Sequence, residues 1–369
     1  MTRRPDRPHL VEETGLMMYD RMRGESWRTD DDARDLLERK LATAVAGGAA
    51  GFVQWIWNTN VYMPIDNESG IGFLRADGSV KPELASFSEW ARVLRSHAGR
   101  LRGQAEEPVV VVVPQSQLLS PRDLASEATR RAVRTLAYDL RAPVRAVGEY
   151  QIAGHLGRPR LAVLPSARAL SAAAWSALLA AAEDGSTLLV TGPIELDEYW
   201  RPTDRLTALG LPAAARPVAP EEPVVIDGQT VGAAFRGEKL ERVEAAVVGG
   251  GSVVTVVPRG RGRIVWLPVP VELAEAPDAT VAAYRYAARL AALEPSVRVE
   301  PDLPSTLAAA RTFDDLLIVV LANESSQDQT LRVTPTATGV PLDLSVPAGR
   351  AMLAAVDRPS GRIVDRTRF

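Results

Sequence analysis

The feature that most constrains the fold is a series of apolar runs in the middle of the chain that alternate with helical stretches. The first run, from Pro108 to Pro114, has five consecutive valines between two prolines. Strands that are apolar at every position are typical of a parallel sheet covered by helices on both faces. Further strands are predicted near Val144, over 160–165 and over 186–191, with helices over about 121–140 and 171–183. This part is therefore predicted to be an α/β domain.

The sequence after this series predicts the rest of the α/β domain and then a separate β domain. A hairpin is predicted over 245–257 with its turn at Gly249–Gly251, followed by a strand over 263–268 and a helix over about 282–293. From about Val297 onward, short strands near 316–323, 329–335 and 352–356 are separated by turn residues. This last segment is predicted to be a small antiparallel β domain.

The first hundred residues predict two strand-helix units, each with a long loop after its strand. The first strand ends in Glu12-Glu13-Thr14-Gly15, and Thr29 followed by three aspartates is typical of a helix N-terminus. The second strand is predicted over 51–57, with a polar loop to Gly78 and a helix after Lys81. Two parallel strands can neither close a barrel nor cover their own edges. The segment is therefore predicted to be part of a larger sheet.

The composition narrows the class of function. The chain has 369 residues, a formal net charge of -3 and no cysteine. This charge gives no reason to expect nucleic acid or an anionic membrane as a partner, and without cysteine there are no disulfides, thiolate zinc sites or cysteine nucleophiles. His9, His97 and His155 lack metal-ligand spacing, so no metal and no cofactor is expected. The proline-broken N-terminus and the lack of a long apolar run predict a cytoplasmic protein.

The candidate site residues lie at the ends of the first two strands. Because consecutive strand residues point to opposite faces, only one of Glu12 and Glu13 can face a common site. Trp55 and Trp57 are two residues apart and are predicted to share a face. The alternatives without a functional role are that Glu12 and Glu13 are a solvated acidic pair and that Trp55 and Trp57 pack in a core.

These two strand ends resemble the last two strand-helix units of a clan A glycoside hydrolase, a (β/α)8-barrel that cleaves sugars with retention. The resemblance implies that Glu13 is the nucleophile and that Trp57, or else Trp55, lies under the sugar ring. Tyr19 and Asn58, in the loops after the two strands, are the further candidates for substrate binding.

The order of domains resembles that of family 42 β-galactosidases across nearly the whole chain. It implies part of a barrel over residues 1–102, a flavodoxin-like or class I amidotransferase-like α/β domain over 107–295 that forms a trimer, and a small β-sandwich over 296–369. The Glu-Glu-Thr-Gly motif is closer to the mannanases and cellulases of family 5. β-Galactosides, β-mannosides and β-glucosides therefore all stay open as substrates, since fold analogy cannot choose among them.

A retaining glycosidase also needs a second carboxyl group, a general acid/base about 5 Å from the nucleophile. In clan A it usually follows an asparagine at the end of the fourth strand. The pairs Asn67-Glu68 and Asn323-Glu324 do not occupy that position. The resemblance therefore predicts a portion of a glycosidase that carries the nucleophile, lacks the acid/base and is inactive alone.

Two other hypotheses remain. The first is a non-catalytic remnant or an assembly subunit that uses the α/β and β domains. The second is a small-molecule binding module in the α/β domain, although Gln115–Ser120 lacks a phosphate-binding pattern and Gly249–Gly251 matches no dinucleotide fingerprint.

Overall fold

The structure is a computed structural model that describes residues 8–20, 25–60, 62, 68–118, 124–211, 214–247 and 252–369. Asn67, the turn glycines 249–251 and the first residues of the helix predicted over 121–140 lie outside the described residues. The chain divides into two compact units. The composite unit contains the residues up to Glu106 together with Pro295–Phe369, and the α/β unit is Glu107–Glu294.

The N-terminal part of the composite unit contains two strand-helix units. Its elements are β1 Leu10–Val11, β2 Tyr19–Asp20, β3 Glu25–Ser26, α1 Asp30–Ala46, β4 Gly51–Phe52 and α2 Pro82–Ser96. β1 and β4 are parallel, with Leu10 opposite Gly51 and Val11 opposite Phe52. The helix start at Thr29 is confirmed, because Thr29 and Asp32 form a reciprocal capping box. Both strands are much shorter than predicted, since among the described residues each pairs only with the other.

The α/β unit is built on a six-stranded sheet. The strands of the whole unit, including those outside this sheet, are β5 Val109–Val113, β6 Val144–Gly148, β7 Leu161–Leu164, β8 Thr187–Thr191, β9 Ala214–Pro217, β10 Glu221–Ile226, β11 Gln229–Ala234, β12 Glu244–Val247, β13 Ser252–Val253, β14 Thr255–Arg259 and β15 Gly262–Leu267. Its helices are α3 Gln115–Leu118, α4 Ala125–Arg134, continued by a π-helical turn to Asp139, α5 Ala172–Glu183, α6 Arg205–Ala208, α7 Glu238–Arg242 and α8 Asp278–Leu290. The main sheet has the order β14-β15-β8-β7-β5-β6 and is parallel except for β14.

Both faces of this sheet are buried, as the apolar runs predict. Val109 and Val111 belong to a core with α4 and α8, whereas Val110 and Val112 belong to a second core with α5. Successive side chains of one strand thus enter opposite cores, which is why the strand is apolar at every position.

The hairpin predicted over 245–257 is wrong. β12 pairs antiparallel with β9, and β13 pairs parallel with β10. The hairpin forms one step later, between β14 and β15. Its turn contains Gly260 at a φ of +55°, where a Cβ atom would lie 2.5 Å from the Glu183 carbonyl oxygen. Glycine therefore suits this turn both by conformation and by space.

The C-terminal part of the composite unit is an antiparallel sandwich. Its strands are β16 Val297–Glu300, β17 Thr306–Thr312, β18 Leu316–Asn323, β19 Gln329–Pro335, β20 Leu342–Val346, β21 Ala351–Asp357 and β22 Ile363–Arg366. They form sheets of order β16-β19-β20 and β17-β18-β21-β22 that share one hydrophobic core. The antiparallel strands predicted for this segment are thus present, and they form one compact unit with the N-terminal part.

The helices of the N-terminal part pack on this sandwich. Glu38 of α1 is buried and accepts hydrogen bonds from Arg350 at 2.7 Å and 2.5 Å, and from the Ser86 hydroxyl at 2.6 Å. Arg92 of α2 donates two hydrogen bonds to Asp365 at 2.8 Å and 3.0 Å. The first and last predicted segments therefore lie in one compact unit.

Candidate active site

The first candidate strand end is fixed to the second by backbone and side-chain hydrogen bonds. Thr14 is buried, and its N–H and its hydroxyl both donate to the Val53 carbonyl, at 3.0 Å and 2.8 Å. Val53 in turn donates its N–H to Val11 at 2.8 Å. The Thr-Gly half of the motif is therefore held against the chain that leads to Trp55.

Gly15 shows how closely the two strand ends approach each other. A Cβ atom at Gly15 would lie 2.8 Å from the Trp55 carbonyl oxygen and 3.1 Å from Ile71. The Nε2 amide of Gln54 donates to the same Trp55 carbonyl at 3.3 Å. The third residue of Glu13-Thr14-Gly15 is thus a glycine because no side chain fits there.

Glu12 and Glu13 both have exposed side chains. The structure does not separate them by burial, so the choice of Glu13 as the nucleophile stays a prediction. Their place at the carboxyl ends of parallel strands is where α/β folds bind their ligands.

Trp55 and Trp57 are exposed aromatic side chains, with 44% and 59% of their surface accessible. Regular strand geometry ends at Phe52, so the two-residue spacing of the tryptophans does not fix a common face. Trp57 stands edge-on to Phe73, with 6.1 Å between ring centroids and 89° between planes. The alternative of two core tryptophans does not hold for the chain as described, because both are exposed.

The loop after Trp57 is closed by a second backbone crossing. The Trp57 carbonyl accepts hydrogen bonds from the N–H groups of Phe73 and Leu74, at 2.9 Å and 3.0 Å. Gly72, at a φ of +122°, lies so close to Asn58 that a Cβ atom would be 2.7 Å from the Asn58 carbonyl carbon. Asn58 therefore starts a tightly held loop while its own side chain is exposed.

Tyr19 lies in the short β2–β3 hairpin. A Cβ atom at Gly70 would lie 3.0 Å from its ring, so the half-buried tyrosine packs on this glycine. The next residue, Ile71, lies against Gly15, so Tyr19 and the first strand end contact the same turn.

Lys40 is a supporting residue that sequence reasoning did not assign to the site. Its ammonium group donates to the Gly15 carbonyl at 3.0 Å, and burial lowers the pKa of this lysine. Its signal in the sequence is a lysine within the apolar stripe of α1, beside Leu36, Leu37 and Leu41. Such a position favours a lysine whose stem is covered and whose amine reaches a specific partner.

The described residues of the two asparagine-glutamate pairs lie in a loop of the sandwich and in a turn. Asn323 is buried and holds a loop of the sandwich, donating to the carbonyls of Gln327, Val346 and Pro347 at 2.7 Å, 3.2 Å and 3.1 Å. Glu68 lies in a turn, where its carbonyl accepts from Ile71 at 3.3 Å. Within the described ranges no group of three metal-ligating side chains could hold a metal ion, and no helix is long and apolar enough to cross a membrane.

The chain has a glycoside hydrolase-like fold, as comparison with solved structures shows. It resembles a family 42 β-galactosidase from G. stearothermophilus at 12% identity and a TM-score of 0.67, covering 88% of this chain and 51% of that chain. A cold-adapted β-galactosidase from Rahnella sp. R3 has 15% identity and a TM-score of 0.72, with 96% and 55% covered. An exo-β-1,4-mannosidase from Opitutaceae bacterium strain TAV5 has 19% identity and a TM-score of 0.52, with 77% and 52% covered.

The resemblance to family 42 β-galactosidases predicted from the sequence is thus confirmed at the level of fold. The chain spans about half the length of the enzymes it matches. No protein-family model matches the sequence, and no curated protein is significantly similar to it.

Proposed function

We propose that this chain is the C-terminal portion of a retaining β-glycosidase, and that it carries the nucleophile Glu13 but not the general acid/base. The observation that carries the proposal is the linkage of two neighbouring parallel strand ends. Thr14 is bonded to Val53, and Gly15 packs on the Trp55 backbone, so the chain segments that carry Glu13 and the exposed tryptophans are joined. A carboxylate beside a flat apolar surface is the minimum that a sugar-cleaving site needs on one wall.

In the proposed reaction the Glu13 carboxylate attacks the anomeric carbon as the bond to the leaving oxygen breaks. The acid/base donates its proton to that oxygen, so that an alcohol leaves and a glycosyl ester of Glu13 remains. Water then gives a proton to the same acid/base and displaces Glu13 from the sugar. Without the second carboxyl group the reaction loses a factor of about 10²–10⁴, so the chain alone is expected to be inactive.

The proposed roles of the other residues follow from their exposure. Trp57, with Trp55 as the alternative, offers its ring to the apolar face of the sugar. Asn58 and Tyr19 are the proposed hydrogen-bonding partners of sugar hydroxyl groups. Lys40 acts only through Gly15, by holding the backbone that follows Glu13.

The finer fold proposal is that β1 and β4 are the last two strands of an eight-stranded barrel. Their exposed apolar side chains support it, since Leu10 and Val53 each have 52% of their surface accessible. An apolar strand edge that is left uncovered is unusual in a stable domain. In this proposal the remaining strand-helix units come from polypeptide outside this sequence, and the α/β unit contributes to a trimer.

The test starts with the coding sequence upstream and with any companion gene. Six further strand-helix units, with an asparagine-glutamate pair at the end of the fourth strand, are expected there. The reconstituted protein is then assayed with nitrophenyl β-galactoside, β-mannoside and β-glucoside. Glu13→Gln is expected to lower kcat by about 10³-fold or more, whereas Glu12→Gln, the matched control, stays within a few-fold of wild type.

Azide separates a nucleophile from a residue that only shapes the site. In Glu13→Ala, azide is expected to enter the space of the carboxylate and attack the anomeric carbon. Turnover is then restored, with a glycosyl azide as the product. Loss of activity in Glu12→Gln instead of Glu13→Gln would overturn the assignment. Inactivity of the reconstituted protein on every glycoside would favour a non-catalytic assembly subunit.

A further inference from the structure

A cleft in the α/β unit lies where the strand order reverses. From the central strand β5 the chain moves outward to β6 and then returns to the other side of β5 as β7. This is the flavodoxin-like order, whose ligand position is the crevice at the carboxyl ends of the two strands flanking the reversal. The structure has an open-sided cleft at this point. We call it the switch-point cleft.

Gln117 follows β5, and Ser166 and Arg168 follow β7, so the cleft lies at the carboxyl ends of both strands. Trp200 and Glu244 line it from other segments of the same unit. The wall between the polar groups is apolar and is formed by Leu124, Ala125, Pro193, Val243, Pro270 and Leu273.

The floor of the cleft is a closed hydrogen-bond network with no reactive group. The Ser166 hydroxyl donates to the buried Glu272 carboxyl group at 2.7 Å, and the Ser166 N–H donates to Thr191 at 2.7 Å. Ser166 has a φ of +45°, so its loop is held in the left-handed region by these bonds. The Gln117 amide oxygen accepts from the N–H groups of Arg168 and Ala169, at 2.5 Å and 2.6 Å. The floor is therefore rigid and already satisfied.

The rim carries the groups that a ligand can meet. Arg168 lies 3.3 Å from the Glu195 carboxylate and 2.5 Å from the Glu244 carboxylate, and its guanidinium carbon is 5.8 Å from the Trp200 ring centroid. Trp200 is only partly buried, and its indole N–H donates to the Ser116 carbonyl at 3.4 Å. The indole is thus oriented, with one face toward the arginine.

The charges on the rim balance among the described residues. Arg168 pairs with Glu195 and Glu244, and Arg242 pairs with Glu238, so both arginines of the cleft are compensated by carboxylates and neither is left to attract a phosphate. Arginine N–H groups supply donors, carboxylates supply acceptors, and each sugar hydroxyl needs both.

We infer that the switch-point cleft binds a neutral saccharide, with one face of the ring on Trp200 and its hydroxyl groups on Arg168 and Glu244. This site is separate from the proposed active site and does not depend on the proposed function. Catalysis is not part of the inference, because the Ser166 and Thr191 hydroxyls are already bonded to a buried carboxyl group.

The experiment titrates the full chain with galactose, mannose and glucose by calorimetry, and by saturation-transfer NMR to detect weak binding. At least one neutral sugar is expected to bind with a Kd below about 20 mM. Trp200→Ala is expected to weaken it about tenfold or more, and Trp200→Phe, which keeps a flat ring, by only about threefold. Tyr199→Ala is the matched control, because this exposed neighbour does not line the cleft. Thermal unfolding of each variant checks that it is folded.

Three results would overturn the inference. The first is no binding of any neutral sugar to the wild-type chain. The second is tighter binding of glucose 6-phosphate or flavin mononucleotide than of the neutral sugars, which would make this an anion site. The third is binding that Trp57→Ala abolishes and Trp200→Ala leaves intact. That result would place the sugar at the strand ends of the composite unit and would support the proposed function.

Discussion

The parallel strands of the two units differ in burial: those of the α/β unit are buried, and β1 and β4 of the composite unit are not. In the α/β unit β5 has a neighbour on each edge and a hydrophobic core on each face, and four of its five residues are buried. In the composite unit β1 and β4 pair with each other, and neither has a fully buried residue. Parallel pairing alone therefore does not make a core, because burial depends on the layers that cover both faces.

The helices of the composite unit do not share the exposure of its strands. Leu37 and Leu41 of α1 and Trp90 of α2 are fully buried, and α1 packs on β18 and β21 of the sandwich. The strand-helix segment is thus held through its helices, while its strand ends stay accessible. This arrangement leaves the proposed active-site wall open without making the segment unstable.

The largest effect is expected from a truncation in the doubly covered sheet. Leu164 of β7 has no accessible surface, so Leu164→Ala is expected to lower the free energy of unfolding by about 3–5 kcal/mol through lost burial and a cavity. Leu10→Ala in β1 removes the same atoms from an exposed position and is expected to cost about 0.5 kcal/mol or less. Calorimetry of the two variants measures the contrast directly. Equal losses would show that β1 is buried in solution and would break the comparison.

The next effect is expected where the helices join the sandwich. Glu38→Ala leaves the Arg350 guanidinium, which is largely buried, without its main partner, and Asp35 at 3.3 Å replaces only part of the interaction. A loss of about 3 kcal/mol is expected, measured by chemical unfolding. Asp31→Ala, which removes the exposed partner of Arg34, is the control and should cost about 0.5 kcal/mol or less. A small loss in Glu38→Ala would mean that the strand-helix segment is not anchored through this pair.

A smaller effect is expected at the contact between the two candidate strand ends. In Gly15→Ala the new methyl group meets the Trp55 carbonyl oxygen, so one backbone must shift, at a cost of about 1–2 kcal/mol. Gly99→Ala is the matched control, since its methyl group has no neighbour within 4 Å. The stability of both variants is measured from their thermal unfolding midpoints, and the change around Trp55 from tryptophan fluorescence. A Gly15→Ala protein as stable as Gly99→Ala would show that the two strand ends are not in contact.

The doubly covered sheet could be predicted from the sequence because burial on both faces leaves a mark at every strand position. The strands β9 to β13 could not, since they are only partly buried and β12 pairs with β9, far earlier in the chain, rather than with the strand that follows it. The hairpin turn was predicted at Gly249–Gly251, whereas the pair forms around Gly260.

The candidate site could be predicted in part for the same reason. Parallel order places successive strand ends side by side, and this brought Thr14 and Gly15 against Val53 and the Trp55 backbone. The length of the second strand could not be predicted, because Val53 to Trp57 is apolar enough for a strand although the parallel register with β1 ends at Phe52. The switch-point cleft had no local signal at all, since Arg168, Trp200 and Glu244 come from three separate segments.

The smallest effect is a pH dependence beneath the cleft. Glu272 has no accessible surface, and its carboxyl group accepts hydrogen bonds from Ser166, Thr191 and Tyr284 at 2.7 Å, 2.7 Å and 2.8 Å. Burial nevertheless raises the pKa of Glu272 above its ordinary value of 4.5. The folded chain therefore keeps this proton to a higher pH than the unfolded chain does. The associated stability is complete below pH 4.5 and declines as the pH rises through the folded-state pKa.

Glu272→Gln cannot lose a proton, so the difference in unfolding free energy between this variant and the wild type is expected to move in favour of the variant as the pH rises from about 4 to 8. Urea unfolding at several pH values measures it, and Glu238→Gln on the exposed surface should run parallel to the wild type. A difference that moves the other way would mean that the three hydroxyl donors outweigh the burial and hold Glu272 ionised. The floor of the cleft would then carry a negative charge. Binding of a neutral sugar above it would be insensitive to Glu272→Gln only if the three hydroxyl donors screened that charge.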